Sequence, residues 1–263
     1  MHSPLISIIY PVFNDNPVFI EQSLNSLLAQ DYLNFEIIIV DDSTEGRTLD
    51  CINRFSEDKR IRLIREKNTL GLSQALNIGI RVAQGIYIAR ADADDISTYD
   101  RLRTQVNFLE KYQDIDVVGS NIIYINNDGQ KLKMRKYPET NESIYRYIHL
   151  RNPLAHPTVM FRKCFFDTVG YYNIQLKRAE DYDLWFRAKK QNIKIYNIQA
   201  PLVYYRISNV QKRDNLNWKS NLQLKLENFS FKHFIPSTFG VFSLFLFLIL
   251  PSFLKEVIYK KLS

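Results

Sequence analysis

Cysteine is scarce in this chain of 263 residues. Cys51 and Cys164 stand far apart and without metal-ligand spacing. That excludes a disulfide-built scaffold and a cysteine zinc site, and it fits two reduced thiols in a reducing compartment. Glycine is also sparse, at 8 residues, and none forms a phosphate-cradling loop. The first apolar stretch runs into Pro11-Val12-Phe13-Asn14 where a glycine turn would stand, and Gly-Lys-Ser/Thr does not occur. Both absences count against dinucleotide oxidoreductases and P-loop nucleoside triphosphatases. The N-terminus lacks the basic start of a secretory signal and leads directly into a strand-like run. No internal repeat or low-complexity linker is visible.

What is present is strand and helix in alternation. Residues 5–10, 35–40, 60–65 and 86–91 read as strands. The second is apolar apart from Glu36, as a strand covered on both faces should be. Between them, Asn16 and Pro17 open a helix with Phe19, Ile20, Leu24, Leu27 and Leu28 on one face. Short and long helices follow over 48–55 and 71–83. Ser97 reads as the cap of a further helix carrying Leu102, Val106 and Leu109, with Asp100 closing a capping box. The rhythm predicts an α/β fold with a mostly parallel central sheet flanked by helices. It changes after the Asn127-Asp128-Gly129 turn. A polar stretch over 134–150 ends in a weak helix, and 157–162, 180–191 and 193–198 read as strand, helix and strand. The chain thus divides into a catalytic domain, 1–211, and an extension, 212–263. Within the domain, the expected boundary falls near residue 126, with 1–126 expected as the nucleotide-binding half and 127–211 as the acceptor-binding half if the strand-end acids described below bind a nucleotide.

The extension is set apart by composition. It holds eight basic against three acidic residues, most of the formal net charge of +7. Residues 234–254 carry no charge. The expectation is a hydrophobic helical extension associated with a membrane, peripheral, re-entrant or as a single span. Lys219, Lys225 and Lys232 would then face anionic headgroups. Pro236, Pro251 and the lysines at 255, 260 and 261 argue against a plain crossing. A buried helix or an oligomer contact is the remaining reading. Nucleic acid is disfavoured as a partner, because the basic residues flank an apolar run rather than interleave with aromatics.

Chemistry concentrates where strands end. Phe35 to Val40 is followed by Asp41 and Asp42, and Gly85 to Ala91 by Asp92, Ala93, Asp94 and Asp95. Ligands of open α/β sheets bind beyond the carboxyl ends of strands. One carboxylate there can accept from a pyrimidine N–H or a ribose hydroxyl, and another can ligate Mg²⁺ or Mn²⁺. Solvated turn acids are the bland alternative. A third acid, Asp181, lies in the first turn of a helix whose Leu184, Trp185 and Ala188 face inward. It reads either as a helix-dipole contact or as a general base on a rigid element.

In their order and spacing, several segments resemble the family 2 glycosyltransferases of the GT-A fold. They are Ser7–Asn14, Ser26–Gln30, Ile38–Ser43, Gly71–Asn77, Ala91–Ser97, His156–Met160 and Glu180–Trp185. The resemblance covers about residues 5 to 210 and is strongest to bacterial enzymes of O-antigen, capsule and lipo-oligosaccharide assembly. It implies an inverting, metal-dependent hexosyl- or N-acetylhexosaminyltransferase using a UDP-sugar. Asp42 would hold uracil, Pro11 and Phe13 would flank the base, and Asp92 would contact the ribose side. Asp94 would bind Mn²⁺ or Mg²⁺, Arg206 would reach the diphosphate, and Asp181 would deprotonate the acceptor. Phe13 departs from the family's common tyrosine, keeping the stack without the hydroxyl. His156, Glu180 and Trp185 are acceptor-side candidates, His156 equally a packed imidazole. The implied acceptor is a saccharide linked to polyprenyl diphosphate or lipid A-core, and the implied location is the cytoplasmic face of a bacterial inner membrane. The competing readings are a non-catalytic membrane-associated nucleotide-sugar or glycan-binding protein, and a sugar-1-phosphate nucleotidyltransferase. The latter would need an early basic phosphate loop that 11–16 does not supply.

Overall fold

The computed structural model describes residues 3–207 and 215–250. The chain opens with β1 (Ile6–Val12), α1 (Pro17–Leu28), β2 (Phe35–Asp41), α2 (Gly46–Asn53), β3 (Ile61–Arg65), α3 (Leu72–Val82) and β4 (Tyr87–Arg90). Then come β5 (Ile96–Ser97), α4 (Arg101–Lys111), β6 (Val117–Ile125), β7 (Lys131–Arg135) and α5 (Asn141–Tyr147). A 3-10 turn (His156–Thr158), β8 (Met160–Arg162), α6 (Phe165–Val169), α7 (Glu180–Lys190) and β9 (Ile195–Arg206) complete the body. Two helices follow, α8 (Asn215–Glu227) and α9 (Phe234–Ile249).

The strands form one sheet in the order β3-β2-β1-β4-β8-β6-β9-β5, with β7 added on β6. Alternation within β1 builds both faces of the core. Ile8 and Tyr10 pack with Ile20, Leu24 and Leu27 of α1 and with Leu102 and Leu109 of α4. Ile9 packs on the opposite face with Ala75 and Leu76 of α3, in the cluster that also holds Trp185 of α7.

The sheet is mixed, which corrects the expectation of a mostly parallel one. Strands β1–β4 pair in parallel, and so do β6 and β9. The junctions β4/β8, β6/β8, β6/β7 and β5/β9 are antiparallel. The first half follows the crossover rule, with a helix between neighbours. The second half inserts β8 from downstream beside β4, and β9 runs long enough to flank all of β6.

Asn16 does cap α1 through its side chain, with Pro17 at the first position. Ser97 does not cap α4: it lies in β5, its Oγ accepts from Arg101 Nη1 at 3.0 Å, and the helix begins at Arg101.

The C-terminal expectation also needs correction. Helix α9 has 16 residues. At about 1.5 Å per residue that is about 24 Å, short of the roughly 30 Å of a bilayer core. Among the described residues no helix is long and apolar enough to cross a membrane. The tail turns at 228–233, and α9 folds back against α8, with Trp218 and Phe247 ring centroids 4.4 Å apart. The pair is docked on the body. Lys225, read from sequence as facing headgroups, is buried and donates to Leu150 O at 2.6 Å and Gly240 O at 3.2 Å. Gly240 lies so close to the body that a Cβ there would stand 1.9 Å from His149 O. These contacts overturn the single-span and membrane-embedded anchor. The residues at 251, 255, 260 and 261 invoked in that reading lie outside the described residues.

Candidate active site

Three loops at the carboxyl ends of β1, β2 and β4 meet in one cleft. Asn14 joins the first two. It adopts φ 52°, its N–H donates to Ser43 Oγ at 2.9 Å, and its Oδ1 accepts from Thr44 N and Glu45 N at 2.9 and 3.0 Å. Asp42 Oδ2 accepts from the N–H groups of Leu70 and Gly71 at 2.7 and 3.2 Å, fixing the loop that leads into α3. Its neighbour Asp41 is fully buried and ion-paired with Arg65 at 2.6 Å, so the first acid of this pair serves the fold. Phe13 is about half exposed, at 48%, and Pro11 is half-buried beside it.

Asp92, Asp94 and Asp95 each present a carboxylate oxygen within 4.8 Å of the others. Asp94 is pushed up to about 7 by burial, then by the Asp92 and Asp15 carboxylates. Asp95 is raised well above the carboxylate range by burial, then by the Asp92 and Asp94 carboxylates. Its Oδ1 accepts from Arg206 N at 2.8 Å, while Oδ2 is buried without a hydrogen-bond partner. Clustered carboxylates that repel one another, with one oxygen orphaned, fit a hard divalent cation.

Arg206, which the resemblance has reaching the diphosphate, lies against this cluster. It is buried, and its guanidinium donates to the carbonyls of Asp94, Asn126 and Asn127 and to Gln22 Oε1, all between 2.8 and 2.9 Å. In this arrangement it staples the acidic turn to the β6–β7 turn and to α1.

A second acidic group is built on α7. Ala179 precedes the helix in the left-handed region, at φ 64°, a conformation that costs a non-glycine residue about 1 kcal/mol or more. The kink delivers Glu180 and Asp181 to the cleft. Asp181 is clamped, with Asn152 Nδ2 donating to Oδ2 at 2.5 Å and Tyr182 N–H donating to Oδ1 at 2.8 Å. Glu180 is pushed up to about 7 by burial and by Asp181. His156 is buried, with Nε2 at 2.7 Å from the Tyr172 hydroxyl and Nδ1 at 4.0 Å from Glu180. Burial and then Arg90 hold its imidazole well below the usual range, so it is neutral. Trp185 is fully buried, stacked on Phe161 and edge-on to His156.

Two residues here were missed from sequence. Arg90, the last residue of β4, is buried with Nη2 at 2.5 Å from Asp92 Oδ1, and its Nε and Nη1 have no acceptor among the described residues. A lone basic residue two positions before the acids was the available signal. Asp15 accepts from Phe13 N–H at 2.9 Å and is raised to about 6 by burial and by Asp92, Asp41 and Asp42. It follows the first strand as Asp42 follows the second.

Comparison with known proteins fits this geometry. The family described as Glycosyl transferase family 2 matches residues 7–167. The O-antigen biosynthesis glycosyltransferase WbnJ of Escherichia coli is 33% identical, over 78% of this chain and 80% of its own. Also from Escherichia coli, the UDP-Gal:alpha-D-GlcNAc-diphosphoundecaprenol beta-1,3-galactosyltransferase is 32% identical, over 78% and 75%. Among solved structures, S. aureus TarS 1-349 in complex with UDP-GlcNAc superimposes with a TM-score of 0.67 at 22% identity, over 84% of this chain and 66% of that one. The strand-end acids, the mixed sheet and these likenesses together make the chain a member of glycosyl transferase family 2, a GT-A-fold glycosyltransferase related to the bacterial enzymes of O-antigen and surface polysaccharide synthesis.

Proposed function

We propose that this glycosyltransferase moves a hexosyl or N-acetylhexosaminyl group from a UDP-sugar to a saccharide hydroxyl with inversion. The observation that carries this reading is a carboxylate cluster whose Asp92 charge reaches Glu180, the neighbour of the clamped carboxylate Asp181. Asp42 has committed Oδ2 to the loop before α3, so Oδ1 is the atom through which it would read the uracil N–H. Exposed Phe13 and neighbouring Pro11 would cover the base. The names of two likenesses support the uridine donor: one carries UDP-Gal in its name, the other was solved with UDP-GlcNAc.

Asp94, with Asp92 and Asp95, would hold Mn²⁺ or Mg²⁺. When bound, such an ion supplies Lewis-acid stabilisation of the diphosphate leaving group. The protein's own residues do the rest. Asp181 accepts the proton of the attacking hydroxyl as the new C–O bond forms at the anomeric carbon. The bond to the diphosphate oxygen breaks on the opposite face, and its electron pair leaves with UDP. Asn152 and the Tyr182 N–H fix the orientation of the base. For the acceptor, the diphosphoundecaprenol in the name of one relative favours a saccharide on polyprenyl diphosphate over one on lipid A-core.

The test is a screen of UDP-sugars for Mn²⁺-stimulated turnover. We expect one UDP-sugar to be consumed, with at least a 10²-fold lower rate in D94A and in D181N, about the scale of a general-base contribution. Binding of UDP-sugars with no turnover of any would favour the non-catalytic binding protein. Undiminished transfer by D181N would remove Asp181 as the base.

A further inference from the structure

A second group of charged side chains lies at the other end of α7, about 12 Å from Asp181 by helix rise. A cavity of about 590 Å³ opens there, where the turn between α8 and α9 meets the body. Its walls include Asn141, Glu142, Lys189, Lys194, Lys232 and His233. Lys194 is paired with Asp114 at 2.7 Å. The other cations are not so matched. Lys189 Nζ donates to Tyr145 O at 3.1 Å and to His149 Nε2 at 2.6 Å, both neutral acceptors. The His149 and His233 rings lie 5.3 Å apart. Burial, then repulsion from Lys189, lowers both imidazoles, His149 to about 4. Burial and then Lys232 bring Lys189 down to about 8.

Two lysines, Lys189 and Lys232, thus line a cavity whose one carboxylate among the described lining residues, Glu142, forms no ion pair with either. Such an arrangement costs free energy that an anion would return. Asn141 Oδ1 is occupied by the Ile195 N–H at 3.0 Å, which leaves its amide NH₂ to donate. The volume lies in the roughly 300–1,000 Å³ range of small-molecule sites and exceeds what a bare phosphate needs. We propose that this cavity is a binding site for a phosphate group, with Lys189, Lys232 and His233 as its donors. The site lies apart from the donor cleft and does not depend on the reaction proposed above.

Thermal unfolding of the full-length protein tests it, in EDTA and at constant ionic strength, with added inorganic phosphate, pyrophosphate or glycerol phosphate. The expected result is a saturable rise in Tm. Half-saturation should move at least tenfold higher in K232A and in H233N, and stay unchanged in D94N. A larger response to glycerol phosphate assigns the site to an organic phosphate, and a larger one to inorganic phosphate or pyrophosphate assigns it to the free anion. Either supports the site. No saturable response, or one whose half-saturation is unchanged in both K232A and H233N, overturns it. Lys232 is exposed, so its variant tests the site without disturbing the core.

Discussion

Glu180 shows what single residues give up to form this site. Its carboxyl is raised from the usual glutamate range to about 7, by burial first and Asp181 second. A carboxyl raised on folding binds its proton more tightly in the folded state. Its contribution is therefore complete below the unfolded value and is lost as pH rises through the folded one. E180Q removes this dependence. We expect E180Q to be about 1–3 kcal/mol more stable than wild type at pH 8 and nearly equal to it at pH 4, measured by urea unfolding at both values. Arg90 makes the converse case. R90M leaves the Asp92 carboxylate without its partner among other acids. Asp92 keeps some exposure, so the loss belongs at the low end of the roughly 3–5 kcal/mol for breaking a buried pair, with R90K recovering part of it. Equal unfolding midpoints for wild type and R90M would refute this. The acids were legible because each followed an apolar strand. Arg90 and Asp15 were not, because one charge beside a strand has many explanations until its neighbours from distant segments are known. Arg206 was legible as a member of the site and not as a staple, since its acceptors are mostly main-chain carbonyls.

At the level of elements, the first four strands and their helices follow from hydrophobic period and strand length. Strands β5 and β7 escaped that reading, and the strand read over 193–198 stopped short of the end of β9. Strand β7, Lys131–Arg135, alternates as Lys-Leu-Lys-Met-Arg but is exposed along most of its length, so the alternation buries no core face. Strand β9 extends from Ile195 to Arg206 across Ala200 and Pro201, where its pairing with β6 shifts register around Asn121. The proline marks that irregularity and reads in sequence as an end. The C-terminal helices were misread because apolar composition over 234–254 does not reveal a turn, a buried lysine or a glycine pressed on a carbonyl. Gly240 supplies the prediction here. A methyl group at 240 would meet the His149 carbonyl, which is main chain and cannot swing aside. G240A should shift α9 outward, weaken the Lys225 contact and cost roughly 1–3 kcal/mol. Hydrogen exchange should quicken across 234–249 and remain unchanged in β1 and β2. Unaltered protection in α9 would show that the helix is held by other means.

Across the whole molecule, both core clusters rest on opposite faces of one continuous sheet, and the helix pair is docked on the second face through Leu224 and Lys225. The two tryptophans report on these parts separately: Trp185 is fully buried in the body and Trp218 lies on α8. Single-tryptophan variants should unfold in urea at coincident midpoints if docking couples the pair to the body. An earlier transition at Trp218 would mean that the pair detaches before the sheet opens. The overall class was legible because strand–helix alternation prescribes a layered sheet. The mixed direction was not, because β8 and β9 are inserted next to strands far away in sequence, and no local pattern records a non-local neighbour.

One consequence concerns synthesis at the ribosome. The turn holding Asp94 and Asp95 is closed from the far end of the chain, by the main-chain N–H and guanidinium of Arg206. A nascent polypeptide that has emerged only as far as β8 can assemble β1–β4 yet lacks the piece that orders this turn. The acidic turn therefore takes its final shape only when the last strand arrives.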